Sequence, residues 1–296
     1  MATIPDLIAR GRTLSFEFSA PRDAEGEARL SRTLERLAAV RPSFMSVTYG
    51  AGGSTRGPTP EVVERIQGLG VNAMPHLTCV AHTRDEIAAL VERYRTDGVE
   101  NLLALHGDIP VDGPDHAVGD FTRAVDLVAF VRERAPFAIG VAAHPEGHPR
   151  AESRAADLDH HAEKLRAADF AITQFFFDAE HYERFIEAMA ARRVTTPVIP
   201  GIMPPTNTDG IARMSAANGT DFPTALRARL GACGDDLAAR RAVATEEATK
   251  LGEALLAAGA PGLHLYTMNF SEPALSVVRN LVHAGVLDGF SVPARS

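Results

Sequence analysis

LSFEFSAPRDAEGEARLSRTLERLAAVRPSFMSVT, residues 14–48, holds two short apolar runs, 14–18 and 44–48. Between them lies a longer segment, 28–40, in which apolar residues recur three and four apart. Five residues bounded by turn formers is strand length, and the three-and-four spacing belongs to a helix with one apolar face. Strand, helix, strand in so short a space is the repeat of a parallel sheet, whose neighbouring strands need a crossover that brings the chain back to the same end.

The alternation continues in both directions from this stretch. Strand-like runs follow at 72–77, 101–105, 137–143, 170–175, 197–202 and 262–266, which makes eight. Helical stretches lie at 84–97, 121–134, 153–168 and 182–193, the first opened by Thr83 and Glu86 at capping-box spacing. Segments 221–230 and 235–258 also read as helices. The expected fold class is therefore α/β: a single eight-fold βα (TIM) barrel with extra helices between strands seven and eight, one catalytic domain over residues 1–296. A doubly wound open sheet gives a similar alternation. The polar residues favour the barrel: Glu17, Thr48, His76, Gly107 with Asp108, His144, Gln174 and Asn269 all fall within strands or just after them. In a barrel they ring one mouth, where barrel enzymes keep their chemistry.

Bulk properties narrow the function. A net charge of −8 and no Lys/Arg-rich block leave no basic footprint, so nucleic acid is not an expected partner. Cys79 and Cys233 lack the spacing of a zinc site or a disulfide framework. No basic-then-apolar leader and no run of about 18 apolar residues occurs, so a cytoplasmic protein without a membrane partner is expected.

Glu17 is the sharpest anomaly, a carboxylate inside a strand between Phe16 and Phe18. A buried, unpaired carboxylate tends to stay protonated, as a general acid must; the plainer alternative is a core Glu paired with Arg or Lys. Asp108 follows a strand and precedes a proline turn, either capping backbone amides or sharing a cavity with Glu17 as a charge stabiliser. The segment Tyr49-Gly50-Ala51-Gly52-Gly53-Ser54-Thr55 brings backbone amides toward an anion or is a plain loop. His144 and His148, with His76 and His106, raise a metal-dependent hydrolase as a rival, but H-E-x-x-H spacing is missing and no metal is expected. Gln174 among phenylalanines suits a flat heterocycle.

These segments resemble the methylenetetrahydrofolate reductase family: Ser15-Phe16-Glu17-Phe18, Ser46-Val47-Thr48-Tyr49-Gly50-Ala51, Pro75-His76-Leu77-Thr78-Cys79, Gly107-Asp108, Thr173-Gln174-Phe175-Phe176-Phe177-Asp178, Ile199-Pro200-Gly201-Ile202 and Tyr266-Thr267-Met268-Asn269. The resemblance implies a folate-reducing oxidoreductase in which Glu17 is the general acid, Asp108 the second catalytic carboxylate and pterin contact, and Gln174 and Thr48 further substrate contacts. It places the cofactor-binding positions at Thr48, Tyr49, Ala51, His76, His106, Gly107, His144 and His148, with Asp157 and Lys164 also retained. The usual members carry hydride on FAD. Here His106 and His144 stand where an Arg and a Tyr are expected, His160 and Glu163 where an Asn and an Arg are expected, and Gly210 and Phe270 replace a Gln and an Arg. Those departures resemble the family's flavin-independent branch, which implies NADH as direct hydride donor without FAD; the alternative is the same reaction through bound FAD.

Overall fold

The structure, a computed structural model, describes residues 2–48, 59–80, 82–107 and 119–292. Numbered in chain order, the strands are β1 (Thr13–Ser19), β2 (Phe44–Thr48), β3 (Ala73–Thr78), β4 (Asn101–Leu105), β5 (Ala138–Ala143), β6 (Phe170–Thr173), β7 (Val198–Ile199), β8 (Gly201–Ile202) and β9 (Gly262–Tyr266). Every pairing between them is parallel, in the order β7-β6-β5-β4-β3-β2-β1-β9-β8. The two edges, β7 and β8, are separated in sequence by Pro200 alone, so the sheet curls into a nearly closed barrel.

Run 197–202, expected as one strand, is thus two, and the described strands number nine rather than eight. Proline has no N–H for the ladder, and the break falls on it. Its carbonyl still accepts from the His264 N–H at 3.0 Å. Strand six is also shorter than expected: it ends at Thr173, leaving Gln174 and Phe175 beyond it.

The period of two along each strand sorts side chains between two layers. Leu14, Phe16 and Phe18 of β1, Met45 and Val47 of β2, and Leu263 and Leu265 of β9 pack into the main core with the surrounding helices. The alternate residues Phe44, Met74, Leu103, Ala138, Phe170 and Ile199 form a second cluster inside the barrel. Gly140 makes room for it: a Cβ there would sit 2.3 Å from the Phe170 ring.

Helix α1 (Ile4–Arg10) closes the floor of that interior. Thr3 caps it by accepting from the Asp6 N–H, and Pro5 lies in its first turn, where no N–H is needed. Its Ile4 is fully buried in the interior cluster, contributing about 1.5–3 kcal/mol. The Ile4 N–H donates to Asn101 Oδ1 at 2.7 Å.

The remaining helices are α2 (Ala24–Ala38), α3 (Thr59–Gly68), α4 (Arg84–Thr96), α5 (Ala124–Arg132), α6 (Arg154–Ala167), α7 (Ala179–Ala191), α8 (Thr208–Asn218), α9 (Thr224–Ala232), α10 (Leu237–Ala257) and α11 (Ser271–His283). The capping box of α4 forms as its spacing predicts. Three helices, not two, fill the excursion between β8 and β9. The unforeseen α8 starts at an Asn207 cap and ends at Gly219, in the left-handed conformation. Among the described residues, no helix is long and apolar enough to cross a membrane.

Candidate active site at the barrel mouth

Glu17 is the third inward residue of β1, after Thr13 and Ser15, and register sets it beside Ser46 of β2 and Tyr266 of β9. Its carboxyl is not isolated, and among the described residues its close partners are histidines, neither Arg nor Lys. Oε2 lies 3.2 Å from His264 Nε2 and 3.6 Å from His76 Nε2. The far side of the His264 ring meets Ser15: Nδ1 and Ser15 Oγ are 2.8 Å apart. That hydroxyl also lies 3.3 Å from the Leu263 carbonyl. His264 is fully buried and stacks on Phe44, so its ring plane is fixed by packing as well as by hydrogen bonds.

His76 points from β3 at the same oxygen. Burial lowers its pKa to about 4, outweighing the pull of the Glu17 charge toward protonation, so it is neutral near pH 7. Tyr266 closes this side. Its hydroxyl donates to the Thr173 carbonyl at 2.6 Å, and burial together with Glu17 raises its pKa. The Tyr266 ring lies against Gly201, where a Cβ would come within 2.5 Å of it. Thr267 Oγ1 donates to the Glu17 carbonyl at 2.6 Å, and Asn269 brackets Ser19 through both its side-chain amide oxygen (2.9 Å) and nitrogen (2.8 Å). Asn269 is therefore a clamp on β1, held at a positive φ of 60°. Thr48 ends β2, with Oγ1 3.3 Å from Ser19 Oγ.

The opposite side of the mouth is built differently. His144 and His148, on the loop after β5, meet edge to face at 4.9 Å, and His144 lies 5.9 Å from His161 of α6. His161 Nδ1 and Nε2 and His144 Nδ1 are buried without hydrogen-bond partners among the described residues. Burial drives the pKa of His144 down to about 3 and that of His161 to about 2, and lowers that of His148. Asp157 organises the group, accepting from the His148 N–H (3.3 Å) and from Arg154 (3.2 Å). Lys164, one turn after His161 and His160, makes no hydrogen bond or close ion pair among the described residues; burial lowers its pKa to about 8. Glu163 turns away, bound through both oxygens to Arg123 at 3.1 and 3.2 Å.

His106 Nδ1 is spent on the Gly107 carbonyl at 2.8 Å. Gly107 has φ +87°, and a Cβ there would meet Thr78 at 3.0 Å, so the position requires glycine. Gln174 follows β6; its Oε1 accepts from the Phe175 N–H at 3.0 Å, and its amide nitrogen makes no hydrogen bond among the described residues. Asp108, Tyr49 and Ala51 lie outside the described residues. Also among the described residues, no group of three or more His, Cys, Asp or Glu side chains is placed to hold a metal ion.

The structure thus joins Glu17 to His76 and sets His144 beside His148. Sequence reading missed Ser15, His264, Tyr266 and His161. The first three carried a legible signal, since they are polar residues at the inward positions of apolar strands, as Glu17 is.

The family model described as methylenetetrahydrofolate reductase matches residues 3–282. A 5,10-methylenetetrahydrofolate reductase of Salmonella typhimurium is 36% identical over 270 residues, 90% of each chain. Arabidopsis thaliana methylenetetrahydrofolate reductase (NADH) 1 is 35% identical over 96% of this chain and 50% of the plant protein. Among solved structures, a Clostridium thermocellum protein described as binding two copies of 5-methyl-5,6,7,8-tetrahydrofolic acid shares the fold at a TM-score of 0.67, with 16% identity over 97% of this chain and 100% of that one. With the model matched over nearly the whole length and relatives above 30% identity, this chain belongs to the methylenetetrahydrofolate reductase family.

Proposed function

We propose that the chain, as a single catalytic barrel domain, reduces 5,10-methylenetetrahydrofolate to 5-methyltetrahydrofolate with hydride taken directly from NADH. The observation that carries this reading is the Ser15, His264, Glu17 series in a member of this family. Ser15 Oγ at Nδ1 fixes the His264 ring, so that Nε2 faces Glu17 Oε2 at 3.2 Å. Oε1 is then the oxygen that carries the transferable proton. Neutral His76 adds no positive charge beside it.

Proton transfer from Glu17 to a folate nitrogen opens the five-membered ring to an iminium cation, and NADH delivers hydride to its methylene carbon, giving the methyl group and NAD. The carboxylate left behind offsets the positive charge at the moment it forms, with more leverage in a dry mouth than in water. Gln174 offers its amide nitrogen to the pterin and Thr48 a hydroxyl, and Asp108 takes the role of second carboxylate on sequence alone.

Two features support direct transfer. The plant relatives carry NADH in their names. The residues at the flavin positions fit a flavin diphosphate poorly: His106 is tied to its own backbone, Glu163 is tied to Arg123, and Lys164 is a single cation. Each missing charge-assisted hydrogen bond costs about 1.5–3 kcal/mol of binding. Two unpaired cysteines suit the reducing cytoplasm in which such a reaction is placed.

The test is the initial rate of NADH oxidation by flavin-stripped protein with methylenetetrahydrofolate, both substrates varied, with and without FAD. Turnover without FAD and intersecting double-reciprocal lines are expected. Turnover only with FAD, with parallel lines, would replace direct transfer by a flavin-carried reaction.

A further inference from the structure

Glu146 lies on the loop after β5, between His144 and His148, and belongs to neither group described above. Its side chain is 10% exposed, and Oε1 accepts from the Asp221 N–H at 2.8 Å, across 75 residues of sequence. His181 Nε2 of α7 approaches the same oxygen at 3.4 Å. Burial, with Asp221 and Asp178 nearby, raises the Glu146 pKa. A carboxyl kept in so unfavourable a place has to be held by what it binds, and what it binds is the segment between α8 and α9.

Two further contacts dock the same segment. Thr220 Oγ1 donates to the Phe175 carbonyl at 3.2 Å, and Gly219, the left-handed cap of α8, packs on Pro149 at 3.4 Å from where its Cβ would be. Together they wall a narrow crevice of about 10 Å³ lined by His144, Glu146, Gln174, Phe175, Asn218 and Thr220. Gln174 sits in that crevice with its carbonyl already committed to the Phe175 N–H. Upstream, Ile211 of α8 packs with Phe175 and Met203 against Tyr266, the residue beside Glu17 in register.

We infer that Glu146 is a positioning residue, a latch that holds the end of α8 against the loops after β5 and β6 and so fixes Gln174 and Phe175 for ligand binding. The inference rests on the proposed reaction for its ligand, the folate. Releasing the latch leaves Glu17 and His264 untouched but lowers the fraction of molecules with an assembled binding wall. Apparent affinity falls by that fraction while the chemical step does not change.

Glu146→Ala, Glu146→Gln and Thr220→Val test it, by steady-state kinetics and by amide hydrogen exchange of the full chain. Glu146→Ala should raise the KM for methylenetetrahydrofolate about tenfold with kcat within about twofold, the factor of one hydrogen bond to a charged acceptor. Glu146→Gln should restore KM to within about threefold, because the amide oxygen still accepts from Asp221. Thr220→Val, which keeps the shape and loses the hydroxyl, should move KM in the same direction. Exchange should speed up in peptides covering 208–232 in Glu146→Ala and stay slow in β1 to β4. Unchanged KM in Glu146→Ala, a fall in kcat alone, equal damage from Gln and Ala, or faster exchange across the whole barrel would each overturn the latch. If the wild-type protein reduces no folate, the reading of the reaction fails, while the exchange data still decide whether Glu146 holds the α8 segment.

Discussion

The two sides of the barrel mouth spend their polar groups in opposite ways. On the β1–β9 side the groups around Glu17 are tied to one another: Ser15 meets His264, His264 meets Glu17, Tyr266 is bound to Thr173, and Asn269 brackets Ser19, while Ser46 Oγ and His76 Nε2 are buried without a hydrogen bond among the described residues. On the β5–α6 side, among the described residues, His161 and His144 bury ring nitrogens that make no hydrogen bond, His161 Nε2 lying 3.6 Å from Asp157, and Lys164 stands without a close ion-pair partner. A buried polar group left unsatisfied costs about 1–3 kcal/mol, so this side is maintained at the expense of stability. Groups already fixed are suited to a proton transfer, which demands geometry in advance. Groups left open are suited to a ligand that completes them. In the proposed reaction the first side protonates the folate and the second receives the dinucleotide.

The largest effect belongs on the fixed side. Glu17→Gln keeps an oxygen for His264 and removes only the transferable proton. Single-turnover measurements should show the rate of methyl formation falling at least about 100-fold, with folate affinity changed little. A loss smaller than about tenfold would take the acid role away from Glu17. His264→Ala comes next. It deletes one hydrogen bond to the carboxyl and the link to Ser15, and should lower kcat about tenfold. It should also displace the pH profile of kcat, which loss of packing alone would not do. Equal kcat and an unmoved profile would reduce His264 to a core side chain.

The unequal sides were also unequally legible in the sequence. Glu17 stood out because a carboxylate between Phe16 and Phe18 breaks an apolar run. By the same rule Ser15, His264 and Tyr266 were readable, since alternation along β9 aims His264 and Tyr266 inward just as it aims Glu17. What could not be read was the pairing, because which inward residues meet depends on register between β1 and β9, nearly 250 residues apart. The βα order of the barrel followed from period and length, but the break at Pro200 and helices α1, α3, α8 and α11 did not. The spacing of apolar residues in α8 is blurred by Gly210, and only its caps, Asn207 and Gly219, mark its ends. On the open side, His144 and His148 were flagged from their spacing. His161 was hidden within a polar helix whose buried face consists of Asp157, His161, Ala162 and Leu165.

Lys164→Met asks whether the open side is a binding side at all. The substitution keeps the length of the stem and deletes the charge. It should raise the KM for NADH about tenfold, with kcat within about twofold and the folate KM unchanged, the pattern of lost uniform binding. A fall in kcat with an unchanged KM would place Lys164 in the chemistry and dissolve the division between the two sides.

The smallest effect concerns the stability the open side gives up. For a histidine whose pKa is lowered by folding, the native state holds the neutral form. Above pH about 6.5 native and unfolded chains are both neutral there, and the contribution to stability is complete. As pH falls through 6.5 the unfolded chain takes up a proton that the native one refuses until about 3 at His144 and 2 at His161. Stability is therefore lost on acidification across that window, by up to about 1.4 kcal/mol per pH unit for each such histidine. His161→Gln removes one titrating group while leaving a polar side chain in the same place. Urea unfolding at pH 7.5 and 5.5 should show the acid-induced loss shrinking by on the order of 1 kcal/mol. An equal loss in both proteins would mean that the imidazole takes up its proton in the folded state, and that the open side is already wet.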